Sequence, residues 1–264
     1  MTDERPIGVF DSGLGGLTVM RALIDLLPDE HLLYFGDTGR FPYGPKPAED
    51  VLKFAFQIAD WLVERDVKML VVACNSATAA ALEPLQERVD VPVIGVIEPG
   101  MRAAARVTEN KHVGVIGTVG TIASGSYQRA AQELGADLEL RCAACPGFVE
   151  FVEGGDVGSD QVHVLAERLL APVRAAGVDT LVLGCTHYPL LARTIADVMG
   201  PDVVLVSSAD ETAFEVRVRL TERRRESTAR TVRFVTSGDI DTFRHLGGRF
   251  LGPEVEEVEG WAWS

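Results

Sequence analysis

Basic side chains are in short supply in this 264-residue chain. Its 25 Lys and Arg stand against 39 Asp and Glu, a formal net charge of −14. Such a deficit argues against a duplex nucleic acid partner, which is normally met by a basic stripe or patch. The one basic run, Arg223-Arg224-Arg225, is flanked by Glu222 and Glu226 and reads as a solvated helix end. Cysteines number four, too few for a disulfide scaffold. A chain this long buries enough surface to be stable without one. No apolar run reaches the ~18 residues of a membrane-spanning helix. The opening Met1-Thr2-Asp3-Glu4-Arg5 lacks the apolar stretch of a secretory leader. The expectation is a cytoplasmic protein with reduced thiols and no membrane partner.

What the chain does have is alternation. Short apolar runs, rich in Val, Ile and Leu, recur at Ile7–Phe10, His31–Phe35, Lys68–Ala73, Pro92–Val96, Val113–Ile116, Asp179–Leu183, Val203–Val206 and Val232–Val235. They barely alternate in polarity, as strands buried on both faces do. Amphipathic stretches predict helices over Leu17–Leu27, Ala48–Arg65, Ala77–Arg88, Ile122–Leu134, Gln161–Ala175, Leu190–Met199 and Glu211–Arg223. Strand and helix in turn mean an α/β fold with mainly parallel sheet.

The pattern also repeats. Val67-Lys68-Met69-Leu70-Val71-Val72-Ala73-Cys74 aligns with Val178-Asp179-Thr180-Leu181-Val182-Leu183-Gly184-Cys185. Ile7-Gly8-Val9-Phe10-Asp11-Ser12 aligns with Val113-Gly114-Val115-Ile116-Gly117-Thr118. Buried parallel strands resemble one another in any protein, but matched terminal cysteines do not follow from that. Cys74 and Cys185 each sit past the carboxyl end of a strand and before a helix, where open α/β sheets bind ligands. A helix N-terminus there is expected to lower a thiol pKa and favour the reactive thiolate.

Other motifs are weaker alone. Asp11-Ser12-Gly13-Leu14-Gly15-Gly16 is neither a dinucleotide fingerprint nor a P-loop. Asp11 there fits a helix cap, an acceptor for a ligand ammonium, or a general base. The Pro-rich Arg40–Pro47 is either a plain turn or a loop that closes Tyr43 over a ligand. Gly117–Ser124 offers hydroxyls for a carboxylate or simply for helix capping. Cys142-Ala143-Ala144-Cys145 follows a strand at Asp137–Leu140 and runs into Pro146. With no second ligand pair it is not a zinc site, and both thiols read as structural. His187, two residues past Cys185, can relay a proton, and Glu153 or Asp156 can orient it.

No cofactor or metal signature accompanies the cysteines. A cysteine hydrolase needs one thiol and a His base. Two thiols related by pseudo-symmetry suit a different task, stereoinversion at carbon. One thiolate removes the α-proton and the opposite thiol returns one from the other face. The carbanionic state then needs donors aimed at the carboxylate, and Asn75, Ser76, Thr118 and Thr186 are of that kind.

These motifs together resemble the glutamate racemases of the cofactor-independent aspartate/glutamate racemase superfamily. The likeness runs almost end to end: Gly8–Thr18, Gly36-Asp37-Thr38, Pro42-Tyr43-Gly44, Ala73–Thr78 and Leu183–Pro189. The aspartate racemase group tends to carry His where Thr78 stands and Glu where His187 stands. The resemblance implies interconversion of L- and D-glutamate without a cofactor, supplying D-glutamate for peptidoglycan. It implies that Cys74 acts on the D and Cys185 on the L enantiomer, assisted by Asp11 and His187, with Glu153 near His187. Ser12, Pro42, Tyr43, Gly44, Asn75, Ser76, Thr118, Thr121 and Thr186 would line the pocket. Many members have Thr at position 76, where Ser keeps the hydroxyl. Cys142 lies outside the family pattern.

The implied architecture is two pseudo-symmetric α/β domains with mainly parallel sheets facing a central cleft. The first would span 1–97 plus 208–264 and the second 98–207. A homodimer is the family expectation. Some relatives carry an N-terminal extension tied to activation by a cell-wall precursor; here the first strand begins by Ile7, so that regulation is not expected. DNA gyrase is a reported partner of some members, and acidity alone does not support it here. The rival readings are an aspartate or hydantoin racemase of the same architecture, or a non-catalytic binding module.

Overall fold

In the computed structural model, residues 3–220, 230–255 and 257–263 are described. The arginine run at 223–225 and the end of the helix expected over Glu211–Arg223 lie outside them. The chain forms two parallel sheets. The first half gives β1 (Ile7–Asp11), α1 (Leu17–Leu26), β2 (Leu32–Gly36), α2 (Ala48–Val63), β3 (Met69–Val72), α3 (Asn75–Arg88), β4 (Val93–Gly95) and α4 (Ile97–Val107). The second gives β5 (His112–Gly117), α5 (Val119–Ala123), α6 (Ser126–Glu133), β6 (Glu139–Ala144), α7 (Phe148–Glu153), α8 (Asp160–Arg174), β7 (Thr180–Gly184), α9 (Ala192–Met199) and β8 (Val204–Val206). Then come α10 (Ala209–Arg219), β9 (Val232–Thr236), α11 (Ile240–Leu251) and β10 (Val258–Gly260).

The sheets run β10-β9-β2-β1-β3-β4 and β6-β5-β7-β8, every pair parallel. Set side by side, β2-β1-β3-β4 and β6-β5-β7-β8 share one order. The register repeats too: Ile7 pairs with Met69 as Val113 pairs with Thr180, and Phe10 with Val72 as Ile116 with Leu183. Even one close contact in the core recurs. A Cβ on Gly8 would meet Leu70, Val67 and Leu62; a Cβ on Gly114 would meet Leu181, Val178 and Val173. Gly8 and Gly114, Leu70 and Leu181, and Val67 and Val178 are positions that the sequence alignment equates. The fold is therefore two pseudo-symmetric α/β domains, and β9 and β10 extend the first sheet.

Apolar residues cover both faces of each sheet, as strands without polar alternation require. One core lies under α1, α10 and α11 and another under α2 and α3. Two more flank the second sheet, against α7, α8 and α9 on one side and α4 and α6 on the other.

Several elements depart from expectation. The helix expected over Ile122–Leu134 is two, because Gly125 takes φ +69° between α5 and α6. That left-handed turn is open to Gly and strained for most residues. Helices α4 and α7 and strand β10 were not foreseen. Strand β6 runs to Ala144, so Cys142 lies within it rather than after it. After Cys185 the chain makes one 3₁₀ turn over Tyr188–Leu191 before α9 begins. This thiol therefore does not stand at an α-helix N-terminus.

Candidate active site

Parallel strands deliver their carboxyl ends to one side of a sheet, and here those ends face each other across a cleft. A pocket lies there, with about 620 Å³ of empty space when the solvent at its mouth is included. Both expected thiols line it. Cys74 enters from the end of β3 and Cys185 from the end of β7. Ser12, Pro42, Tyr43, Gly44, Asn75, Ser76, Thr118, Thr186 and His187 line it as well. Asp11, Thr121 and Glu153 stand behind that lining.

Cys74 caps α3: its Sγ accepts from the backbone N–H of Ala77 at 3.4 Å, and its thiol donates to Ser12 Oγ at 3.6 Å. The helix was expected to lower its pKa. Instead burial, and then the negative charge of Asp11, push it up to about 12. Desolvation penalises a thiolate more than hydrogen bonds from Ala77 and Ser12 repay it. Asp11, at the end of β1, is fully buried. It does not cap α1, whose first residue follows Gly16 without a side-chain cap. Its Oδ2 accepts from the N–H of Gly13 at 3.0 Å, while Oδ1 has no partner. Burial raises its pKa; the charge on His187 and the N–H groups of Gly16 and Gly13 pull the other way.

On the opposite wall, Cys185 Sγ lies 3.9 Å from His187 Nδ1, and His187 Nε2 lies 3.1 Å from Glu153 Oε1. Burial works to lower the His187 pKa. Hydrogen bonds to Cys185 and Glu153, with the charges of Cys185 and Asp11, outweigh it and raise the group to about 10. The imidazole is thus a cation at neutral pH. Its ring is held between Phe41, with centroids 5.8 Å apart, and Phe250, at 5.6 Å. Gly15 of the first domain passes against this wall: a Cβ there would come to 2.5 Å from His187 Nδ1. Only Gly leaves room for that approach. Asp156 is turned away from His187 and instead accepts from Ser159.

The end of the pocket is rich in donors. Ser76, Thr118 and Thr121 form a triangle of hydroxyls with Oγ–Oγ distances of 3.0, 3.3 and 2.9 Å. It joins α3 to the start of α5, across the two domains. Asn75 donates from Nδ2 to Tyr127 at 2.8 Å, and its buried Oδ1 has no partner. The backbone N–H of Gly120 donates to Gly44 O at 3.0 Å, closing the loop over Pro42–Gly44 against α5. Tyr43 does not aim its hydroxyl into the pocket; it donates to Asp37 and contributes its ring to the wall.

Phe41, Val149, Glu150 and Tyr188 also line the pocket without having been singled out. Phe41 and Tyr188 lay inside motifs already quoted; no local signal marked Val149 or Glu150. Cys145 also lines the pocket, while Cys142 lies against Gln128 instead. The two are free thiols with separate surroundings. Among the described residues, no cluster of His, Cys, Asp or Glu could hold a metal ion. No described helix is long and apolar enough to cross a membrane.

Residues 7–215 match the family Asp/Glu/Hydantoin racemase. The chain belongs to this family. It is similar to glutamate racemases over nearly its whole length. That of Mycobacterium leprae is 54% identical over 96% of this chain and 94% of the relative. The solved structure of a glutamate racemase isoform from Bacillus anthracis superposes with a TM-score of 0.92 at 42% identity, covering 98% of this chain and 97% of that one. That of Francisella tularensis in complex with D-glutamate gives 0.90 at 33% identity, with 98% of both chains covered. As a racemase of this family, the chain is an isomerase.

Proposed function

We propose that this racemase interconverts L- and D-glutamate by proton transfer between two cysteines, without a cofactor. One observation carries the reading: Cys74 and Cys185, at equivalent ends of pseudo-equivalent strands, line a single pocket from opposite domains. The substrate is read from the glutamate racemases to which the chain is similar, one of them solved with D-glutamate. The two domains are divided at 1–97 with 208–264 and at 98–207. D-Glutamate made in the cytoplasm would serve peptidoglycan synthesis.

For the L enantiomer, Cys185 as thiolate takes the α-proton: the Cα–H bond breaks and an S–H bond forms. The electron pair left at Cα spreads into the α-carboxylate. Asn75, Ser76, Thr118 and Thr186 supply donors where that charge gathers, with Thr121 holding the hydroxyl triangle. Cys74 then gives its thiol proton to the opposite face, leaving D-glutamate and a Cys74 thiolate. From D-glutamate the same steps run in reverse. The states of Cys74 and His187 suit the L direction. A Cys74 thiol pushed to about 12 holds its proton at neutral pH. A cationic His187, held by Glu153, is the donor that a Cys185 thiolate needs. A high pKa also makes Cys74, once ionised, a stronger base toward a weakly acidic carbon. Asp11, beside it, is placed to exchange its proton.

The test is L-glutamate with purified protein in D₂O, with EDTA present and no cofactor added. Loss of optical rotation together with deuterium at Cα is expected, and Cys74→Ser or Cys185→Ser should abolish racemisation. L-Aspartate racemising in place of L-glutamate would overturn the substrate. No α-proton exchange with any amino acid under reducing conditions would overturn catalysis and favour a binding module.

A further inference from the structure

One wall of the pocket is the loop Phe41–Gly44, and little of its own backbone holds it. Between Arg40 and Gly44 the backbone hydrogen bonds described are Arg40 N–H to Asp37 O at 3.1 Å, Lys46 N–H to Tyr43 O at 3.0 Å and Gly120 N–H to Gly44 O at 3.0 Å. The side chains converge on Asp37 instead. This carboxylate follows β2 and is fully buried. Its Oδ2 accepts from Arg40 Nε at 2.6 Å and from the Tyr43 hydroxyl. Its Oδ1 accepts from Ser237 Oγ at 2.6 Å and from Trp263 Nε1 at 3.0 Å. Two donors thus come from the pocket loop and two from the far end of the chain, more than 190 residues away.

Trp263 does a second thing. Its ring lies on the Arg40 guanidinium at 4.1 Å, with Phe54 on that guanidinium at 4.2 Å. A cation between two aromatic faces, with part of its charge met by a buried carboxylate, is held firmly. The segment bearing Trp263 is itself pinned where Trp261 N–H donates to Thr236 O at 2.8 Å.

We propose that Trp263 and Asp37 are positioning residues for the substrate wall: the segment after β10 fixes the Phe41–Gly44 loop through Asp37 and Arg40. Neither residue lines the pocket, so neither is catalytic. The inference rests on the racemase reading for its kinetic consequence but not for its structural one.

The test compares Trp263→Phe, which keeps the ring and loses the N–H, with Trp263→Ala, which loses both. KM for L-glutamate should rise about tenfold in Trp263→Phe, equivalent to about 1.4 kcal/mol, and further in Trp263→Ala. The kcat of Trp263→Phe should stay within about twofold, because an interaction that serves binding alone leaves the chemical step unchanged. Hydrogen exchange measured on the same proteins should quicken at residues 39–46, with β1 and β3 as before. If both variants keep wild-type KM and wild-type exchange at 39–46, the proposal is overturned. It is equally overturned if stability and kcat fall together with KM unchanged, since Trp263 then serves only the core. Exchange needs no turnover, so quickened exchange at 39–46 in a protein that does not racemise glutamate would uphold the wall and fail the function.

Discussion

His187 Nε2 and Glu153 Oε1 stand 3.1 Å apart, one at the turn after β7 and the other at the last turn of α7. The imidazole is almost wholly buried, while the carboxylate remains partly exposed. A buried imidazole alone would lose its proton below neutrality. Here the partners reverse that and take the group to about 10. In Glu153→Gln the His187 pKa should fall from that value, and racemisation should drop by about 10²-fold if acid–base assistance is lost. NMR titration of the His187 ring reads the first effect directly. An unmoved titration would sink the assignment of Glu153 as its partner.

The same shift sets a pH dependence of stability. The folded-state pKa of His187 is raised from 6.5 to about 10. Its contribution is therefore fully present below pH 6.5 and is lost as pH rises through about 10, because the folded protein binds more protons than the unfolded chain in that window. Urea midpoints should fall between those limits, and the fall should be shallower in Glu153→Gln. Equal slopes in the two proteins would remove His187 as the cause.

Asp11 presents the opposite case, a carboxyl whose charged form the fold disfavours. Burial raises its pKa, so the folded state penalises the carboxylate relative to the neutral acid. Its Oδ1 also lacks a partner. Asp11→Asn keeps an acceptor for Gly13 and removes the charge. We expect a melting temperature higher by about 2–4 °C, the effect of about 1 kcal/mol in a protein of this size. Racemisation should be strongly reduced. The variant also lowers the Cys74 pKa, since Asp11 is the second cause of its rise. Alkylation of the Cys74 peptide by iodoacetamide at pH 8–9, followed by mass spectrometry, should be faster than in the wild type. A slower reaction would mean that Asp11 does not hold the thiol protonated.

How far the sequence could be read depends on how local each cause is. Val9, Val71, Val115 and Val182 sit in runs whose composition alone demands burial on both sides, and the strand positions follow. The matched Cys74 and Cys185 needed only an internal alignment. The edge strand β6 is half exposed, so its run blurred and Cys142 was placed outside it. Helix α4 opens with Pro99 and Gly100 near its start, residues that read as loop, and short β10 carries a mostly exposed face. The thiol pKa failed for a different reason. A helix terminus is visible in a sequence, whereas the desolvation that outweighs it is a property of the assembled cleft. Trp263 against Asp37 spans nearly the whole chain and left no local mark.

The duplicated close packing beneath β1 and β5 is the sharpest measure of how alike the halves are. Gly8 and Gly114 face equivalent walls, but the walls differ in stiffness. A Cβ at Gly8 would stand 3.1 Å from Leu70 Cδ2 and 3.1 Å from Val67 Cγ1. The end of a Leu side chain can give by a few tenths of an ångström. A Cβ at Gly114 would stand 2.5 Å from Val173 Cγ1 and 2.8 Å from Leu181 Cδ1. Val173 is fully buried on α8, where a β-branched side chain keeps one rotamer and cannot turn aside. Overpacking of that kind costs about 1–3 kcal/mol. Gly114→Ala should therefore lower the urea midpoint clearly, and Gly8→Ala by less, because replacing Gly also restricts the unfolded chain and returns about 0.4–1 kcal/mol. The slope of unfolding should not change in either variant, since the surface exposed is the same. Neither glycine lines the pocket, so kcat should be preserved in both. If Gly8→Ala proves the more damaging, the two glycines are not walled as the structure has them.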